Sequence, residues 1–136
     1  MSKSNTSENA TLDANLRAVD PSYRSNANRY IALHTADPGD AGTAVTSECA
    51  FGDYARVAVT AATGFTAAAA GSSSNTAEIS FPECTSGSEL VTYVSIVTTA
   101  SGAGDIIYSG ALTASRTISS GITGRFAIGG LTITED

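Results

Sequence analysis

Leu90-Val91-Thr92-Tyr93-Val94-Ser95-Ile96-Val97 is the most apolar run in the chain. It is rich in β-branched residues, which suit a pleated and packed surface, and it is long enough to cross the middle of a sheet. We take it as the central strand. Gly102-Ala103-Gly104-Asp105 then reads as a hairpin turn into Ile106-Ile107-Tyr108-Ser109-Gly110-Ala111-Leu112, followed by Thr117-Ile118 and Gly124-Arg125-Phe126-Ala127-Ile128. These segments are expected as successive antiparallel neighbours. Gly129-Gly130 breaks the pattern before Leu131-Thr132-Ile133-Thr134, an alternating strand whose Leu131 and Ile133 face one way.

Working back towards the N-terminus, Arg29-Tyr30-Ile31-Ala32-Leu33-His34 alternates and stops at Asp37-Pro38-Gly39-Asp40, whose Pro and Gly suit consecutive turn positions. Tyr54-Ala55-Arg56-Val57-Ala58-Val59 alternates large and small residues, and Ala77-Glu78-Ile79-Ser80-Phe81 ends at Pro82. Phe65 to Ala70 could extend as a weak partner. From Ala67 to Asn75 there is no large side chain, so a flexible exposed loop is an equal alternative there. No helical pattern separates the strands, so parallel crossovers are not available. The expected fold is all-β: an antiparallel β-sandwich, jelly-roll-like, of about eight short strands over residues 29–136.

Residues 1–28 are polar except for Leu12, Leu16 and Val19, which share a helical face, with Asn9 or Thr11 as the cap and Pro21 closing the pattern. That predicts about two turns of helix inside an extended, flexible N-terminal arm, and a helix so short needs a surface to dock on. Leu12, Leu16, Val19 and Tyr23 are therefore the candidate interaction arm, docking on their own domain or on a neighbour.

Ala, Ser, Thr and Gly supply 72 of the 136 positions and Leu, Ile, Val and Phe only 26. This is near the composition of disordered chains, but a net charge of −6 with 15% charged residues is too weak to hold the chain open. The chain should fold around a thin core, and contacts with partners are an expected second source of stability. Seven Lys+Arg against thirteen Asp+Glu leave no basic stripe for phosphates, which argues against nucleic-acid binding. No apolar window is long enough for a membrane span, and Met1 to Glu8 lacks the apolar stretch of a secretion signal. Soluble protein made in a cytoplasm is the expectation.

The chemistry-bearing residues are few. His34, the only histidine, lies in an apolar strand with no nucleophile motif near it, and reads as structural. Asp37, Asp40, Glu48 and Asp53 share a loop region but lack the alternating spacing of a calcium loop, so no metal is expected. No phosphate-binding or hydrolase motif occurs; we expect no catalytic residues, no cofactor and no enzyme. Tyr30, Tyr54, Tyr93 and Tyr108 stand inside strands, where aromatics usually pack. Cys49 and Cys84 fit neither a CxxC pair nor a zinc spacing. They read as two free thiols, with a disulfide, within or between subunits, as the alternative.

Tyr30-Ile31-Ala32-Leu33-His34-Thr35-Ala36-Asp37-Pro38-Gly39, Gly52-Asp53-Tyr54-Ala55-Arg56-Val57-Ala58-Val59, Ile79-Ser80-Phe81-Pro82, Tyr108-Ser109-Gly110-Ala111-Leu112-Thr113 and Leu131-Thr132-Ile133-Thr134-Glu135-Asp136 occur in that order. Together they resemble a family of small tailed-bacteriophage virion proteins, labelled capsid decoration (cement) or tail fibre-like proteins. The resemblance runs over nearly the whole chain from Leu12. This chain differs in a longer polar N-terminus and in its two cysteines. The resemblance implies a structural virion protein assembled in the host cytoplasm. The first reading is a decoration protein on the capsid surface, bound to the major capsid protein and self-associating as a dimer or trimer. In that reading the arm of residues 1–28 reaches a neighbour's sheet edge, and repetition over the shell multiplies modest contacts. The alternative is a tail fibre or tail-associated protein aiding attachment, with loops such as Gly71 to Asn75 facing the host.

Overall fold

The computed structural model describes residues 1–135. Nine strands and one helix follow in the order β1 Ser2–Lys3, α1 Asn5–Arg17, β2 Asn28–His34, β3 Val57–Thr60, β4 Ser72–Ser74, β5 Ile79–Ser80, β6 Ser88–Val97, β7 Ile106–Ser119, β8 Arg125–Phe126 and β9 Thr132–Thr134, with a 3-10 turn at Ser22–Ser25. The main sheet has the order β1-β7-β6-β2-β3, all antiparallel, and two ribbons, β4-β9 and β5-β8, complete a sandwich-like all-β body. The apolar run Leu90 to Val97 lies within β6, the middle strand of the five.

Both faces of the centre are covered. Ile31 and Leu33 of β2 and Val94 and Ile96 of β6 point into the larger core with Phe51, Phe81, Leu131 and Ile133. On the opposite face Ala32, Ala44, Val97 and Ile106 form a small second cluster under Tyr30. Strict alternation would put Val91 on the opposite face from Val94, yet both are in the larger core. The ladder between β6 and β7 is irregular between Val91 and Tyr93, and that one-residue change of phase turns Val91 inward.

The N-terminus departs from the expected loose arm. Ser2 and Lys3 pair with Ser109 and Tyr108 as the edge strand β1. The helix begins at Asn5 and is capped by Ser4, not Asn9 or Thr11. Ser4 has extended backbone and its hydroxyl oxygen accepts from the Ser7 amide at 3.2 Å. The same hydroxyl donates to the Ile106 carbonyl, so the cap also ties the helix to β7. At the other end Ala18 takes the left-handed conformation and stops the helix before Pro21. The helix runs 13 residues, not two turns.

One further expectation changes, and the open choice between loop and strand at Ala67 to Asn75 is resolved. Ile106 to Leu112 and Thr117-Ile118 are one strand, β7, of 14 residues. Ala67 to Asn75 is not all loop, because Ser72–Ser74 pairs with Thr132–Thr134. Gly71 starts that ribbon with φ +72, and a Cβ there would come within 2.5 Å of the Glu135 carbonyl oxygen. Only glycine fits both conditions. Asn75 then anchors the ribbon: its amide donates to the Ala77 and Ala127 carbonyls at 2.7 and 2.8 Å and its oxygen accepts from the Leu131 amide at 2.8 Å.

Candidate interaction surface

Helix α1 meets the body through its polar side. Ser7 is the residue it buries, whereas Leu12, Leu16 and Val19 are 56%, 79% and 48% exposed. The apolar line that suggested a helix is thus turned away from the core, on the outside of the edge where β1 closes the sheet. Tyr23, the fourth member of the expected arm, behaves differently. It packs against the larger core, and the Arg29 guanidinium lies 5.8 Å from its ring centre. The structure therefore separates the four: three apolar side chains face out, and one is an anchor.

The loop from His34 to Val57 is held by an ion pair that the sequence reading did not single out. Arg56 donates from Nε to Glu48 Oε1 at 2.6 Å and from Nη2 to Oε2 at 2.8 Å, a two-pronged contact. Its remaining donors reach the carbonyls of Thr99 at 3.0 Å and Gly102 at 2.8 Å, clamping the β6-β7 turn. The Tyr54 hydroxyl donates to Glu48 Oε1 and accepts from the Leu33 amide, both at 3.0 Å. Burial pushes the Tyr54 hydroxyl well above the usual tyrosine range, so it stays a donor. The alternation that placed Arg56 in a strand carried no sign of its partner eight residues earlier.

His34 is fully buried. Its Nδ1 donates to the Thr46 carbonyl at 2.8 Å, and that tautomer leaves Nε2 to accept from the Ser95 hydroxyl at 2.7 Å. Burial holds its pKa below the ordinary histidine value, against the opposing pull of the Thr46 carbonyl and of Glu48. Both ring nitrogens are engaged inside the second, smaller core face. Cys49 and Cys84 are free and buried. Burial, with Glu89 and Glu48 nearby, pushes the Cys49 thiol up to about 12.

A cleft of about 370 Å³ opens between the main sheet and the β4-β9 ribbon, lined by Phe65, Ile96, Ile107 and Ile133 with Tyr108 and Glu135 at its mouth. Lys3 Nζ closes on Glu135 at 2.8 Å and the Tyr108 hydroxyl donates to the same carboxylate. Those two donors hold the Glu135 carboxyl below its usual range. This cluster ties β1, β7 and the end of β9 together.

The surface is thus one of small polar side chains, with exposed apolar side chains on and just after α1 and ion pairs that join Lys3 to Glu135, Arg56 to Glu48 and Arg125 to Glu78. The family described as Podophage GP4 fiber I protein gp80 matches residues 2–134. No curated protein matches the chain. With a match that takes in α1 and all nine strands, the chain belongs to this podophage fibre-protein family, a family of phage virion structural proteins.

Proposed function

We propose that the protein is a fibre or tail-associated component of the phage particle that works by contact and catalyses no reaction. The observation that carries this reading is the extent of the family match, because residues 2–134 take in α1 and all nine strands. The engagement of both His34 nitrogens supports the absence of a catalytic base. Neighbouring virion proteins, further copies of the chain, or a host surface would be its partners.

The second reading is decoration of the head shell, with the major capsid protein as partner and a dimer or trimer as the bound form. The exposed Leu12 and Leu16 of α1, with Val19 just past its cap, favour it, since exposed apolar side chains in one short segment suit burial against a repeated neighbour. Quantification against the major capsid protein in purified virions, with gold-labelled antibody to place the protein, separates the two. A small fraction of the capsid copy number and label at the tail supports the fibre reading. Near-equal copies and label over the head overturn it in favour of decoration.

A further inference from the structure

We propose that a groove beside β7 binds an extended, acidic peptide segment of another virion protein by strand addition. The groove has a volume of about 290 Å³ and an apolar floor that includes Leu33, Phe81, Leu112 and Phe126. Arg116 and Arg125 stand on its rim. The inference rests on the reading of this protein as one that acts by contact, and it adds the chemistry of a partner.

Three separate features converge there. In the β6-β7 ladder Ala111 faces Tyr93 and Arg116 faces Val91, so Leu112 to Ser115 stand opposite Thr92 alone. On the other side β1 reaches only Tyr108 and Ser109. These four residues bulge out of the ladder, because Ala111 and Arg116 sit opposite β6 residues only two apart, and among the described residues no strand pairs with β7 beyond Ser109 on its other side, so backbone donors and acceptors are left there for another chain. Thr113, Ala114 and Ser115 are small and exposed, which lets another backbone approach closely.

The second feature is the floor. An incoming strand points alternate side chains the same way, and the groove gives one of them an apolar seat. The third is charge. Among the described residues Arg116 makes no ion pair, while Arg125 has only Glu78 at 3.9 Å, with its side chain 60% exposed. In a chain of net charge −6, two weakly engaged guanidinium groups on one rim favour an acidic ligand. A strand with an apolar residue between acids satisfies all three at once.

The test uses the full chain, isotopically labelled, and a blocked hexapeptide of alternating Asp and Leu followed by amide NMR shifts. Shifts confined to Thr113–Arg116 and Gly124–Phe126 are expected. The version with Lys in place of Asp should bind on the order of tenfold more weakly, and Arg116→Glu with Arg125→Glu should reverse that preference. Both arginines are exposed, so the variant is expected to fold, and its amide spectrum verifies this. An N-methylated acidic peptide keeps the side chains but cannot donate to the strand, and should not bind. The proposal is overturned if the acidic peptide leaves these amides unmoved, if the N-methylated or lysine peptide binds equally well, or if the same amides shift on concentrating the protein alone, which would seat a second copy there. None of these outcomes depends on where the protein sits on the particle.

Discussion

Arg56→Met should be among the most damaging single substitutions on this fold. The Arg56 side chain is 2% exposed and that of Glu48 14%, and the arginine makes contacts to Glu48, Thr99 and Gly102. Methionine fills much of the same volume but removes every donor, leaving the Glu48 carboxylate nearly buried with the Tyr54 hydroxyl as its remaining side-chain partner. Leaving one charge of such a pair unmatched costs about 3–5 kcal/mol, out of a total stability of about 5–15 kcal/mol for an ordinary domain. The double variant Glu48→Gln with Arg56→Met removes the stranded charge, and should recover on the order of 1–3 kcal/mol relative to Arg56→Met alone. Urea unfolding followed by tyrosine fluorescence is the natural assay, because the chain has five tyrosines and no tryptophan. A cost below about 1 kcal/mol for the single variant, or a double variant as damaged as the sum of its parts, would refute the account of Glu48 and Arg56 as a buried clamp.

His34 has a folded-state pKa below its ordinary value of 6.5, so below that pH the unfolded chain binds more protons and stability falls as pH drops; the loss seen between neutral pH and the folded pKa should shrink in His34→Gln, and an unchanged pH profile would count against it. Cys49, with its thiol pushed up to about 12 and buried, should resist iodoacetamide at pH 8 in the native protein and react after unfolding in urea, as read by mass spectrometry. Ser4→Ala removes both the cap of α1 and the tie to Ile106 and should cost about 1–2 kcal/mol, measurable as a lower urea midpoint; Ser4→Asp, which keeps the cap acceptor but not the donor to Ile106, should fall between the two.

The parts of this fold that could be read from the sequence are those whose side chains carry the reason for the structure. β6 is recognisable because it needs apolar residues on both faces, and β9 because Leu131 and Ile133 alternate towards one core. β1 has no such signature: Ser2 and Lys3 are held to β7 by backbone pairing. The ribbon of Ser72–Ser74 has three serines for its sequence and is specified instead by Gly71, by Asn75 and by a partner some sixty positions further along. The helix shows how periodicity can be right about an element and misleading about its orientation. Leu12, Leu16 and Val19 predicted a helix, and a helix is there, but the face that meets β7 is marked by Ser4 and Ser7. A stripe that stabilised the domain should be buried in it, and this one is not. Its apolar side chains contribute more when something outside the described chain covers them, which is why the same three residues that gave the N-terminal segment its expected helix are also the ones whose replacement by serine should weaken incorporation into the particle while leaving the unfolding midpoint nearly unchanged.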